Sequence, residues 1–268
     1  MKKPNIVFAF ADDWGRYASA YAKHQRANSL NDLLVTPHFD RVAAEGALFM
    51  NAIVPAPSCT PCRSSILAGQ YFWQTGLGAI LMGAQWDESI PTFPLALEAE
   101  AEYFIGHTYK VWSPGMTMNA PMGGARTAFN PAGYNFNQFS HWVSDHAGEF
   151  GAGKEGIEGA KSALYEETRA NVRAFLQAVP DAKPFCYWWG PTNTHRTWER
   201  GSGKALWNID PDSVVGHLPA FLPDVHDVRE DVADYLGECQ ATDVGLGILI
   251  DELESAGELN NTLLVVSG

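Results

Sequence analysis

The sequence predicts an α/β fold, a doubly wound and mostly parallel sheet flanked by helices. Three observations predict it. Residues 5–11, Asn-Ile-Val-Phe-Ala-Phe-Ala, form an apolar run without polar alternation, the pattern of a parallel strand covered on both faces. Thr36-Pro37 then opens a helix through Phe39, Val42 and Ala43 to Gly46, with proline near its start and glycine just past its end. A second strand is expected at 47–54. Strand, helix and strand in succession imply a right-handed crossover, with ligand sites at the carboxyl ends of the strands. Asp12, Asp13 and Cys59 would lie on that edge.

The remaining elements follow in order. Residues 113–160, rich in Gly, Pro, Asn and Met with little periodicity, read as long surface loops over the sheet edge. Residues 162–178 have a helical pattern, and 184–190 are another apolar strand. The stretch 228–256 predicts a long helix: Val228, Val232, Leu236, Cys239, Leu246, Ile250 and Leu253 recur at three- to four-residue spacing or its multiples, and Gly257 closes it. Thr262 to Val266 begins a last strand. There is no internal repeat and no low-complexity linker, so one domain over 1–268 is expected.

Composition excludes several classes of function. The chain has 268 residues, 46% hydrophobic and 12% aromatic, enough for a sizeable core. No run approaches the ~20 apolar residues that cross a bilayer. Lys and Arg total 18 against 31 Asp and Glu, a net charge of −13, which argues against non-specific binding to nucleic acid or to an anionic membrane. An anionic small substrate would need a local cluster of cations or a metal. Four cysteines in so long a chain do not suggest a disulfide scaffold. The first residues lack a signal-peptide pattern, so a cytoplasmic product is expected as written, and a periplasmic or secreted one if the true start lies upstream.

Cys59-Thr60-Pro61-Cys62-Arg63 permits three readings: a loop cysteine before a helix, a redox Cys-x-x-Cys at a helix N-terminus, or the nucleophile segment of an ester hydrolase. Zinc is a poor alternative, because no second ligand pair has suitable spacing. Asp12-Asp13 read either as solvated loop acids or as oxygen ligands for a hard cation, calcium being the usual choice. His195 follows an apolar strand, where an exposed imidazole can protonate a leaving alkoxide near neutral pH. Arg196 beside it is a candidate for binding substrate anions.

The run Cys59-Thr60-Pro61-Cys62-Arg63 through Gly69 resembles the sulfatase signature, Cys-x-Pro-x-Arg followed by a small-apolar run ending in glycine. Ile6 to Gly15 resembles the opening strand of sulfatases with its calcium-binding acids. Thr36 to Gly46 resembles the helix that follows it. Tyr103 to Trp112 is similar to the segment ending Gly-Lys-x-His, and Pro191 to Arg196 to the strand end that carries an active-site histidine. The resemblance implies a formylglycine nucleophile made from Cys59 by a separate formylglycine-generating enzyme, with one calcium ion on Asp12, Asp13 and the modified Cys59. It further implies that Arg63 holds the modified side chain, that Lys110 meets the sulfate or leaving oxygen, and that His195 is the general acid. Tyr109 stands where glycine is common and Trp112 where histidine is usual. His107 is the substitute imidazole near the substrate.

Thr262 to Gly268 resembles the family strand that leads to two further calcium ligands, then a lysine and a smaller C-terminal subdomain. Calcium takes six to eight oxygens, so the chain reads as an N-terminal catalytic domain, truncated before that loop and inactive alone. The resemblance leans towards sulfated carbohydrates over simple aryl sulfates. A phosphatase or phosphonate hydrolase of the same alkaline-phosphatase-like superfamily is the rival enzyme, and a non-catalytic sulfatase-like fragment the rival from another class.

Overall fold

The computed structural model describes residues 2–25, 27–114 and 120–268. Its centre is a parallel sheet of four strands among the described residues, β1 (Asn5–Phe10), β2 (Phe104–Tyr109), β3 (Phe185–Gly190) and β4 (Thr262–Ser267), in the order β2-β3-β1-β4. Because all pairs are parallel, residues 11–13, 110–112, 191–196 and 268 emerge at one edge. Between the strands lie the helices α1 (Pro37–Glu45), α2 (Cys59–Ala68), α3 (Phe93–Ala101), α4 (Phe139–Phe150), α5 (Gly153–Ala178), α6 (Ser202–Trp207) and α7 (His226–Ser255).

Side-chain alternation assigns the two faces of the sheet. Val7, Ala9, Phe185, Tyr187 and Trp189 pack with Phe139 of α4, Phe175 of α5 and Leu246 of α7. On the opposite face Phe10 and Trp188 pack with Cys62 and Leu67 of α2. Every residue of β3 is buried, as the unbroken apolar run at 184–190 predicts for a strand covered on both sides. The doubly wound α/β expectation therefore stands. No described helix is long and apolar enough to cross a membrane.

Two expectations need correction. Residues 47–54 form no strand; Phe49 and Ile53 are exposed, and the carbonyls of Met50 and Phe49 accept from the side chains of Arg16 and Tyr21 in place of a ladder. Strand propensity there is local, whereas a strand needs a pairing partner the topology does not supply. Within 113–160, residues 139–150 and 153–160 are helical rather than looped. The glycines that suppressed the helical reading are required by packing. A Cβ at Gly156 would lie 2.4 Å from the Ala147 carbonyl oxygen, and one at Gly159 2.5 Å from Cβ of Phe150. They let α4 and the start of α5 approach closely.

Candidate active site

The site is built on the carboxyl edge of the sheet. Asp12 leaves β1 with its backbone N–H donating to the carbonyl of Pro191, beyond β3, at 3.0 Å. The hydroxyl of Thr194 in turn donates to the carbonyl of Asp12. Loop 191–196 and the end of β1 are thus fixed to each other.

The Asp12 side chain is buried between two cations. Arg63 Nη2 donates to Oδ1 at 3.0 Å and Lys110 Nζ to Oδ2 at 2.6 Å. Burial alone would raise the Asp12 pKa, but the charges and hydrogen bonds of Arg63 and Lys110 outweigh it and hold the carboxyl below its ordinary value. Arg63 is fully buried. Its Nη1 also donates to the carbonyls of Lys110 (3.2 Å) and Val111 (3.1 Å), and its guanidinium lies 4.9 Å from the Phe10 ring centre. The arginine is therefore locked to the ends of β1 and β2, and its Nε has no partner among the described residues.

Cys59 is the first residue of α2, where free N–H groups and the helix dipole favour negative charge. Its Sγ lies 3.8 Å from Asp12 Oδ2. The thiols of Cys59 and Cys62 are not bonded to each other. Cys62 is buried among apolar side chains, and burial raises its pKa against the opposing pull of Arg63.

His195 completes a cluster: ligand atoms of Asp12, Cys59 and His195 all lie within 4.8 Å of one another. Its Nδ1 is 2.5 Å from the Arg196 carbonyl oxygen. A carbonyl only accepts, so Nδ1 carries hydrogen and Nε2 is left to exchange a proton. Nε2 sits 3.9 Å from Oδ2 of Asp13, whose side chain is exposed. Asp13 adopts φ +57°, and its carbonyl accepts from the Tyr235 hydroxyl at 2.9 Å.

Lys110 is placed by local backbone geometry. Tyr109 before it has φ +63°, a conformation that favours glycine, and its ring is held by stacking against Phe136. Gly190 opposite is obligatory, because a Cβ there would lie 1.8 Å from the Lys110 carbonyl oxygen.

Two sequence expectations fall outside this arrangement. His107 sits inside β2, with Nδ1 3.0 Å from Thr127 Oγ1, and burial pushes its pKa down to about 4. It is neutral, and none of its described contacts is with the cluster. Trp112 is a buried core residue whose indole donates to Ser64 Oγ at 2.8 Å and meets Trp86 edge-on, so no imidazole occupies that position. Arg196 lies next to the cluster in sequence, but its guanidinium forms two hydrogen bonds with Asp231, at 2.7 and 2.6 Å, and stacks on Trp198.

The sequence reading missed the support behind His195. Asn193 donates to Glu238 Oε2 and to the Glu238 carbonyl, both at 2.9 Å, and accepts from Thr242 at 3.0 Å. Glu238 Oε1 accepts from the Ser140 backbone N–H at 3.1 Å. The signal available in the sequence was a set of charged residues lying within the apolar stripe of the long helix.

The sulfatase family profile matches residues 4–268. An ulvan-active sulfatase of Formosa agariphila is 25% identical over 99% of this chain and 50% of its own length. Human N-sulphoglucosamine sulphohydrolase is 26% identical over 97% of this chain and 49% of its own. A solved structure from the Bacteroides thetaiotaomicron locus for metabolism of multiple glycosaminoglycans superposes with a TM-score of 0.67 at 17% identity, covering 99% of this chain and 61% of the other. The chain spans about half the length of the curated relatives it matches. By the extent of the profile match, the chain belongs to the sulfatase family.

Proposed function

We propose that this chain forms the catalytic core of a calcium-dependent sulfuric ester hydrolase for sulfated carbohydrates, with Cys59 converted by a formylglycine-generating enzyme. The observation that supports it is the meeting of Asp12, Cys59 and His195 within 4.8 Å at the sheet edge where Arg63 and Lys110 converge. The donor set fits calcium: Asp12 and Asp13 would hold the ion together with an oxygen at position 59, whereas a thiol is a poor ligand for so hard a cation. The unpartnered Arg63 Nε would gain an acceptor from an oxygen-bearing side chain at that position. When present, the ion and the converted side chain supply a fixed positive charge and a hydrated-aldehyde oxygen as nucleophile.

The chain's own residues do the rest. Arg63 fixes Asp12, and Lys110 brings a cation to the sulfate oxygens. His195, oriented through Nδ1, delivers the Nε2 proton to the leaving alkoxide as its bond to sulfur breaks. The named activities of the ulvan-active and N-sulphoglucosamine relatives support a sulfated saccharide as substrate.

The test is co-expression with a formylglycine-generating enzyme, peptide mass spectrometry at Cys59, and turnover of a sulfated oligosaccharide by a version extended to family length. The aldehyde is expected at Cys59, and His195→Ala is expected to lower turnover by at least ~10²-fold with unchanged melting. A Cys59–Cys62 disulfide without aldehyde, or full turnover by His195→Ala on a poor leaving group, overturns the reading.

A further inference from the structure

Three residues past Asp13 the chain presents a cation without a counter-ion. Among the described residues every other arginine is in an ion pair: Arg41, Arg63, Arg126, Arg169, Arg173, Arg196, Arg200 and Arg229 each have a carboxylate within 4.0 Å. Arg16 has none. In a chain with 31 acidic and 18 basic residues, an arginine left unpaired is a departure from the pattern of the rest of the molecule.

Arg16 is held nonetheless. Nη1 donates to the Met50 carbonyl at 2.8 Å, and the guanidinium lies 5.5 Å from the Tyr21 ring centre. In the orientation that gives both groups a partner, the Gln25 amide oxygen accepts from Nη2 at 2.6 Å and from Nε at 3.1 Å. These partners are neutral, so they fix the guanidinium without cancelling its charge.

Arg16 lines a cleft of about 550 Å³ with Tyr17, His24, Gln25 and His217, and no aspartate or glutamate is among its described lining residues. That volume falls in the range of small-ligand sites. His217 also lines the cleft, with Nδ1 3.1 Å from the Val215 carbonyl oxygen. The cleft is joined rigidly to the candidate active site. The Trp14 indole donates to the Tyr17 carbonyl at 2.7 Å, and the Tyr17 ring meets that of Tyr235, whose hydroxyl binds the Asp13 carbonyl. Three residues span at most about 11 Å, so the backbone of Arg16 lies within that distance of Asp13.

We propose that this cleft binds a second oxyanion, a sulfate or carboxylate on a neighbouring sugar of the same saccharide, with Arg16 as its principal ligand. The proposal rests on the sulfated-carbohydrate reading and narrows it to polyanionic chains. An overall charge of −13 disfavours such a chain at long range, so a local, preorganised cation with no carboxylate paired to it is what recognition requires. Arginine suits it, because its planar fork matches sulfate and carboxylate oxygens.

The test is calorimetric binding, with calcium present and Cys59 unconverted so that nothing turns over. The probes are a tetrasaccharide sulfated on its first and third sugars and the same tetrasaccharide sulfated on one. The disulfated probe is expected to bind at least ~10-fold more tightly. Arg16→Gln should abolish that advantage while leaving the monosulfated affinity unchanged, Arg16→Lys should retain most of it, and His217→Ala should lose part. Melting curves of the variants establish that they fold. If Arg16→Gln folds and keeps the full advantage, or if the two probes bind alike to the unaltered chain, the cleft is not an anion site and the substrate reading still stands. If neither probe binds the unaltered chain, the sulfated-carbohydrate reading fails and the cleft proposal with it.

Discussion

Asp12 and Asp13 are neighbours at the end of one strand, yet they occupy opposite environments. Asp12 is buried with both carboxylate oxygens taken by cations that come from two other elements. Asp13 is turned outward by its left-handed backbone, with an exposed carboxylate whose one described ion-pair neighbour is His195 at 3.9 Å. The inner half of the site is therefore set by the fold, because moving Asp12 would leave Arg63 charged and unpaired in the core. The outer half is free to adjust to whatever enters. Burial makes the first costly to alter, and solvent makes the second cheap.

The most damaging way to break this contrast is to remove the inner carboxylate. Asp12→Ala leaves the buried Arg63 without its anion and should destabilise the protein by about 3–5 kcal/mol, the range for breaking a buried pair. Asp13→Ala should cost far less. Urea denaturation of both variants measures the difference, and near-equal losses would refute the contrast. pH gives a second view. The Asp12 pKa is lowered in the fold, so its stabilisation is complete above the ordinary carboxylate value of 3.8 and is lost as pH falls through the lower folded value.

A smaller effect of opposite sign sharpens the comparison behind His195. Burial raises Glu238 to about 7 from 4.5, against the opposing bonds from Ser140 and Asn193 and the nearby His141. A carboxyl with a raised folded pKa binds its proton more tightly in the native state. Its contribution is therefore full below about 4.5 and is lost as pH rises to about 7, a loss on the order of 3 kcal/mol. Thermal unfolding between these values should show stability from this group declining with pH, and Glu238→Gln should flatten that slope. An unchanged slope in the variant would mean that Glu238 is charged throughout.

These contrasts also mark how far the sequence could be read. The unbroken apolar runs at 5–11 and 184–190 and the punctuated helix at 36–46 were legible because burial on both faces and helix caps leave local traces. The structure brings Asp12, Lys110 and His195, which follow three strand ends, together with Cys59 and Arg63 of α2. The false strand at 47–54 shows the limit, since pairing is decided by distant residues. The glycines at 156 and 159 read as loop signals although they answer to neighbouring backbone and side-chain atoms. His107 was chosen for its chemistry, three residues before Lys110, but alternation along β2 and the Thr127 hydrogen bond take it elsewhere. Glu238 showed only as a charged residue within the apolar stripe of the long helix, because its role depends on a loop 45 residues away in sequence.

The smallest expected effect lies at the rim and tests whether proximity in sequence implies participation. Arg196 follows His195 directly, and a free guanidinium there would be well placed for substrate anions. In the fold it is engaged twice, by two hydrogen bonds with Asp231 and by stacking on Trp198. Both Arg196 and Asp231 are largely exposed, and exposed pairs of this kind contribute about 0–1 kcal/mol. Arg196→Ala should therefore shift stability within that range. Its effect on saccharide binding should also be small, because recruiting Arg196 would first require breaking its pair with Asp231. Asp231→Ala provides the complementary measurement: it releases the guanidinium without removing it. If Arg196 is held away from ligand, Asp231→Ala should tighten binding of a sulfated oligosaccharide while Arg196→Ala leaves it nearly unchanged. A large loss of affinity in Arg196→Ala would place this arginine on the ligand and show that the rim rearranges on binding more than the inner half does.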